Sequence, residues 1–107
     1  MTFIITLNGK LAGEIAIGSL RGAVPEVGYV TLQKFSGKGV ISHGTKMLVR
    51  FLRYLKRHGL YRNVTDIRAT THINNEASQR VLEKCGFVWK RKIKAYGTYM
   101  YEYKLHV

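Results

Sequence analysis

Acidic residues are scarce in this chain: six Asp plus Glu stand against eighteen Lys plus Arg, a formal net charge of +12 over 107 residues. Such an imbalance favours polyanionic partners, nucleic acid or an acidic protein surface among them, without choosing between them. Cysteine is scarcer still. The single thiol, Cys85, excludes an intramolecular disulfide and offers no metal cluster. Followed by Gly86 and Phe87 at the end of an apolar-periodic segment, it reads as a buried structural thiol rather than a nucleophile. No run of about 18 apolar residues is present, which excludes a membrane-spanning helix. The amino-terminal TFIITLNGK alternates and turns where a signal peptide would continue its apolar stretch. The expectation is a soluble, cytoplasmic protein. Its length suits one domain, residues 1–107, with a modest core, and the initial Met1 favours a complete short chain.

The first third of the chain predicts strands. Phe3 to Leu7, the turn Asn8-Gly9-Lys10 and Leu11 to Leu20 form an expected β-hairpin, because Asn-Gly readily supplies the positive φ angles of a tight turn. RGAVP breaks the pattern, and EVGYVTL, residues 26–32, resumes it as a third strand. From about Ile41 to His58 the spacing predicts a helix. Met47, Leu48, Phe51, Leu52 and Leu55 share one face, Lys46, Arg50, Arg53 and Arg57 line the other, and Gly59 ends it. VTDIRATTHI, residues 64–73, predicts a strand, parallel to residues 26–32 if the helix is a crossover. In NNEASQRVLEKCGF, Asn74 or Asn75 caps a short helix with Ala77, Val81, Leu82 and Cys85 inward and Gly86 stopping it. The tail suggests two antiparallel strands around Ala95 to Thr98. Tyr99, Tyr101 and Tyr103 then share a face, packed against the sheet or lining an acceptor cleft or dimer interface. The expected fold is mixed α/β, in the order β-β-β-α-β-α-β-β. Its sheet is mostly antiparallel with a central parallel strand pair, and the helices pack on it.

Gly37 and Gly39 stand directly ahead of the long helix. Glycines there let the backbone turn tightly and bring bare N–H groups to a helix N-terminus, where the macrodipole concentrates positive charge. That combination seats an anion, most often phosphate. The basic stripe Lys46, Arg50, Arg53 and Arg57 reads first as a solvated face, with polyanion binding as the alternative.

Two segments together, EVGYVTLQKFSGKGVISHGTKMLVRFL and NNEASQRVLEKCGF, resemble the GNAT superfamily of acetyl-CoA-dependent N-acetyltransferases. The resemblance is closest to the branch that acetylates the amino-terminal amines of ribosomal proteins, whose last strand GTYMYEYKL also resembles. It covers nearly the whole chain from Gly13 onward. It implies direct transfer of an acetyl group from acetyl-CoA, the cosubstrate, to a primary amine of a protein or small molecule, without a metal. The family signature is Gln or Arg, two residues, Gly, one residue, then Gly or Ala. Here that frame runs from Lys34 to Gly39, and Lys34 keeps the charge but not the planar fork of Arg. By the resemblance, the amides of Gly37, Lys38, Gly39 and Val40 would donate to the CoA pyrophosphate, with Ser42 adding a hydroxyl. The two parallel strands would splay to admit the pantetheine arm. Tyr29, Val30 and Leu32 would be its backbone contacts, and an amide near Val30 would serve as oxyanion donor.

The same resemblance assigns chemistry. Glu26 matches an acid of the family's E-x-G-Y segment and would take the proton of the incoming ammonium, directly or through water. A solvated strand-end carboxylate is the alternative reading, and His43 and His72 are fallbacks. The tyrosine that many members use for the leaving thiolate falls at Leu82 in this sequence. The ribosomal-protein branch instead implies Asn75 on the pantetheine and Ser78 near sulfur, two residues that also read as a helix cap and a first-turn polar group. Members of the family carry a first strand and two helices before the hairpin, and this chain begins at the hairpin. The acceptor site would then be reduced, altered, or completed by a homodimer or partner chain. A degenerate binding module is the alternative, using Lys46, Arg50, Arg53, Arg57 and Arg62 on nucleic acid or an acidic protein.

Overall fold

Asn8 and Gly9 adopt φ angles of 53° and 77° and fold β1 (Thr2–Leu7) back on β2 (Lys10–Ile17) as an antiparallel pair, with one register shift between Ile5 and Thr6. The protein is described by a computed structural model that covers residues 1–37 and 39–107. β3 (Val27–Thr31) adds antiparallel to β2, from Gly13↔Thr31 to Ile17↔Val27. A short 3-10 turn, Gln33–Phe35, precedes α1 (Val40–Arg57). β4 (Asp66–His72), α2 (Glu76–Lys84), β5 (Val88–Ala95) and β6 (Thr98–His106) follow, and the second sheet has the order β4-β6-β5, all antiparallel. The fold is therefore mixed α/β, two three-stranded antiparallel sheets with two helices, in the element order expected. The second strand stops at Ile17 instead of Leu20, and the 3-10 turn has no periodicity to announce it.

The expected parallel strand pair shrinks to its N-terminal end. β3 and β4 meet at one parallel bridge, Glu26↔Arg68. The Arg68 N–H donates to the Pro25 carbonyl at 3.0 Å and the Thr65 N–H to the Ala23 carbonyl at 2.9 Å. Beyond that bridge no ladder joins the two sheets among the described residues. The strands leave a gap at their C-terminal ends, and both helices begin beside it.

One face of both sheets is covered by the helices. α1 buries Ile41, Thr45, Leu48, Val49 and Leu52 against Ile15, Ile17 and Ile67. Two residues expected on this face lie on its shoulder instead: Met47 is 55% and Phe51 45% exposed. The buried stripe runs 41, 45, 48, 52, and its contact with the hairpin is too narrow to cover both flanks. Leu82 and Phe87 fill the α2 side, while Ala77, expected inward, is exposed at the mouth of the gap. Tyr103 is buried, Tyr101 meets Trp89 edge to face at 6.0 Å, and Tyr99 lies under the Lys92 ammonium. Tyr101 and Tyr103 thus pack against the second sheet, while Tyr99 remains half exposed at its edge. A smaller cluster of Ala12, Phe35 and Val40 pins both ends of the glycine loop to β2. No helix among the described residues is long and apolar enough to cross a membrane.

Candidate active site

The gap between β3 and β4 forms a cleft of about 690 Å³, within the range of small-molecule sites. One wall is the start of α1. Gly37 and Gly39 have φ angles of 77° and 72°, which favour glycine over any L residue, and open space lies where a Cβ would stand at either position. Gly39 is the N-cap and offers no side chain to the helix. No acid occupies the first turn, and the first intrahelical bond runs from His43 N–H to the Gly39 carbonyl. The amides before it are therefore left to a ligand or solvent. Val40, Ile41 and Ser42 all line the cleft.

A second wall is the open edge of β3. Leu32 N–H bonds to the Ala12 carbonyl and Gly18 N–H to the Glu26 carbonyl. With the register Glu14↔Val30 between them, strand alternation turns the main-chain groups of Glu26, Gly28, Val30 and Leu32 toward β2. Those of Tyr29 and Thr31 turn into the gap. The contacts expected from Val30 and Leu32 thus fall on the wrong edge of the strand, and Thr31 stands in their place.

α2 supplies the third wall. The Asn75 side chain accepts a hydrogen bond from Ser78 N–H at 3.1 Å and caps the helix. Across the cleft the Tyr29 hydroxyl meets the Ser78 hydroxyl at 2.5 Å. Burial raises the pKa of Tyr29, partly offset by that bond, so the phenol stays protonated at neutral pH and can donate. Leu82 is fully buried in the core, so no side chain at that position reaches the cleft. Thr71 lines the same cleft and keeps its buried hydroxyl without a partner, a polar atom that a ligand or water would satisfy. Arg80 and Lys84 bring positive charge to the α2 side.

Glu26 opens onto the opposite face of the sheets, because side chains alternate along β3 and Tyr29 points to the helices. Its carboxylate accepts from Thr70 Oγ1 at 3.1 Å and from the Tyr96 hydroxyl at 3.5 Å, and lies 3.7 Å from Arg68 Nη1. Arg68 Nε in turn lies 3.3 Å from the buried Glu102 carboxylate, which also accepts from Arg91 Nε at 3.2 Å. His72 lines the cleft with Nε2 3.1 Å from Thr98 Oγ1.

The cleft therefore brings together Glu26, Tyr29, Gly37, Gly39, Val40, Ser42, His72, Asn75 and Ser78 from the sequence reading. Val30, Leu32, Lys34 and His43 lie outside it. The Lys34 ammonium sits 5.1 Å from the Phe35 ring centre, and His43 lines a separate groove near Cys85. Lys38 lies outside the described residues. Sequence reading missed the Tyr29 hydroxyl, Thr31, Thr70 and Thr71. Only strand parity could have pointed to Thr31, and a bond spanning 49 residues leaves no local trace.

A family model described as an acetyltransferase (GNAT) domain matches residues 1–88. No curated protein sequence matches the chain. Among solved structures, an acetyltransferase of the GNAT family from Bacillus anthracis superposes with a TM-score of 0.79 at 24% identity, over 98% of this chain and 65% of that one. RimL, a ribosomal L7/L12 alpha-N-protein acetyltransferase solved with coenzyme A, gives 0.78 at 19% identity, over 99% of this chain and 61% of that one. An aminoglycoside acetyltransferase solved with coenzyme A and kanamycin gives 0.81 at 19% identity, over 98% and 65%. The chain spans about three fifths of the length of these structures.

Proposed function

The chain belongs to the GNAT acetyltransferase family, and from that premise we propose that its cleft binds acetyl-CoA and passes the acetyl group directly to a primary amine. One observation carries the reading. An uncapped helix N-terminus, the outward-turned amides of a strand edge and a donor hydroxyl pair all converge on one gap.

The residues present fit the cosubstrate. The amides at the start of α1 would hold the pyrophosphate, drawn by the macrodipole and by Arg80 and Lys84. Tyr29 and Thr31 would bond the extended pantetheine arm as if it were another strand, and the Thr71 hydroxyl would gain its missing partner. When bound, acetyl-CoA supplies an activated acyl group as a thioester. The chain then has two tasks. Ser78, held by Tyr29, would hydrogen-bond the departing thiolate. Glu26, on the other face of the sheets, would receive the ammonium proton while Thr70 and Arg68 hold its carboxylate in place. Cosubstrate and acceptor would thus enter from opposite faces and meet in the gap. Coenzyme A in the solved relatives supports the first half of this reading.

Calorimetric titration with acetyl-CoA in moderate salt tests it. Saturable binding near one site per chain is expected, and Gly39→Asp should abolish it, because a carboxylate there repels phosphate. The left-handed φ costs an L residue about 1–2 kcal/mol, Asp tolerates it better than most, and open space surrounds the new Cβ, so the chain should stay folded. Absence of saturable binding in the unmodified protein, or undiminished affinity in Gly39→Asp, would overturn the proposal.

A further inference from the structure

We propose that the outer face of α1 is a second binding surface, built for single-stranded nucleic acid and independent of the acetyl-CoA reading. His43, Lys46, Arg50, Arg53 and Arg57 are all exposed and follow one another at intervals of three and four residues. They form one cationic rail along the helix, about 21 Å from end to end. Met47, Phe51, Tyr54 and His58 repeat the same intervals one position later and are exposed as well. A second rail, mostly aromatic, therefore runs beside the first.

The two rails border a groove of about 920 Å³ between the second half of α1 and the end of β6. Its lining includes Arg50, Phe51, Arg53, Tyr54, Lys56 and Arg57, and no carboxylate side chain lines it among the described residues. Two of these cations are held in place. Arg53 donates to the His106 carbonyl at 2.8 Å and Lys56 to the Val107 main-chain oxygen at 2.6 Å. The Tyr54 and His58 rings lie in contact, with centres 4.2 Å apart and planes tilted by 37°.

An ordinary solvated helix face mixes charge signs, because like charges at these intervals repel and cost stability. Here residues 27–65 carry eight Lys and Arg and no Asp or Glu, so the repulsion along α1 is left for an external anion to relieve. Phosphates answer the cationic rail. The neighbouring rail selects the kind of polyanion: unpaired bases present π faces to Phe51, Tyr54 and His58, whereas the bases of a duplex are already stacked and an acidic peptide has nothing to lay on a ring.

Fluorescence anisotropy with a labelled oligouridylate of about 12 nucleotides, over a range of salt concentrations, tests the proposal. A duplex of the same length and a polyglutamate peptide are the competing probes. The single strand should bind most tightly, with affinity falling steeply as salt rises. The side chains of Arg50 and Arg57 make no hydrogen bond or ion pair with other described residues. Reversing both, as Arg50→Glu with Arg57→Glu, should flatten the log–log salt slope by about 1.4. Tyr54→Ala should weaken the single strand about fivefold or more while leaving the slope unchanged. If thermal unfolding shows that Tyr54→Ala is not folded, Phe51→Ala takes its place. Equal or tighter binding of duplex or polyglutamate, indifference to loss of the ring, displacement of the oligonucleotide by acetyl-CoA, or no binding would each overturn the proposal.

Discussion

Tyr29 serves the cleft twice, its main chain turned toward the gap and its hydroxyl bonded to Ser78 on α2. The resemblance implies the first role, but for Val30 and Leu32 as well; the second is not visible in the segment EVGYVTL. The first depends on which edge of β3 the hairpin already occupies, and the second on a helix 49 residues away. Burial leaves a further mark on Tyr29, Cys85 and Tyr103, raising the pKa of each. The Ser78 hydrogen bond partly offsets the shift at Tyr29, Lys46 and Lys84 offset it at Cys85, and Glu83 and Tyr101 add to it at Tyr103. The sign of the consequence follows from linkage. Below the ordinary thiol value of 9.0 these groups are protonated in both folded and unfolded chains; above it the unfolded chain releases protons that the native state retains. Stability should therefore decline as pH rises from 9, first through Cys85 and then through the two tyrosines. Urea unfolding at pH 8 and pH 10 measures the decline, and Cys85→Ala should remove its early part.

At the scale of elements, what the sequence announces correctly is what neighbouring residues determine among themselves. Asn8-Gly9 turns the first hairpin, Gly37 and Gly39 precede α1 in left-handed conformations, and Asn75 caps α2. Each is settled within a few positions. The failures are tertiary. Met47 and Phe51 fit the apolar period of α1, yet the contact with the hairpin is centred a shoulder away from them. Val30 and Leu32 fit β3, yet β2 claims their main-chain groups. Asn75 allows the two roles suggested for it to be separated. Asn75→Ala should cost about 1 kcal/mol through loss of the cap. Asn75→Asp keeps the accepting oxygen at the helix N-terminus and should leave stability nearly unchanged, while removing the amide donor that a pantetheine contact would use. Denaturant melts paired with acetyl-CoA titrations distinguish the outcomes: weakened affinity in Asn75→Asp alongside intact stability assigns the residue to the ligand as well as to the cap.

In the whole molecule the two sheets are joined at a narrow place, and charge reinforces it. Glu26, Arg68, Glu102 and Arg91 form a chain of alternating sign from the mouth of the cleft across the second sheet, with Glu102 as its buried member. Glu102→Ala would strand Arg68 partly inside. It should cost on the order of 2 kcal/mol, less than for a fully buried pair because Arg91 keeps its water, and a thermal melt would register the loss. The single bridge at Glu26 and Arg68 has one more consequence, in the exchange of amide hydrogens with solvent. Along β3 the N–H groups of Gly28, Val30 and Leu32 are tied to β2, whereas those of Tyr29 and Thr31 look into the gap. Adjacent residues of one strand thus keep two clocks, slow and fast in alternation, and an occupant that pairs with the open edge would set both to the same time.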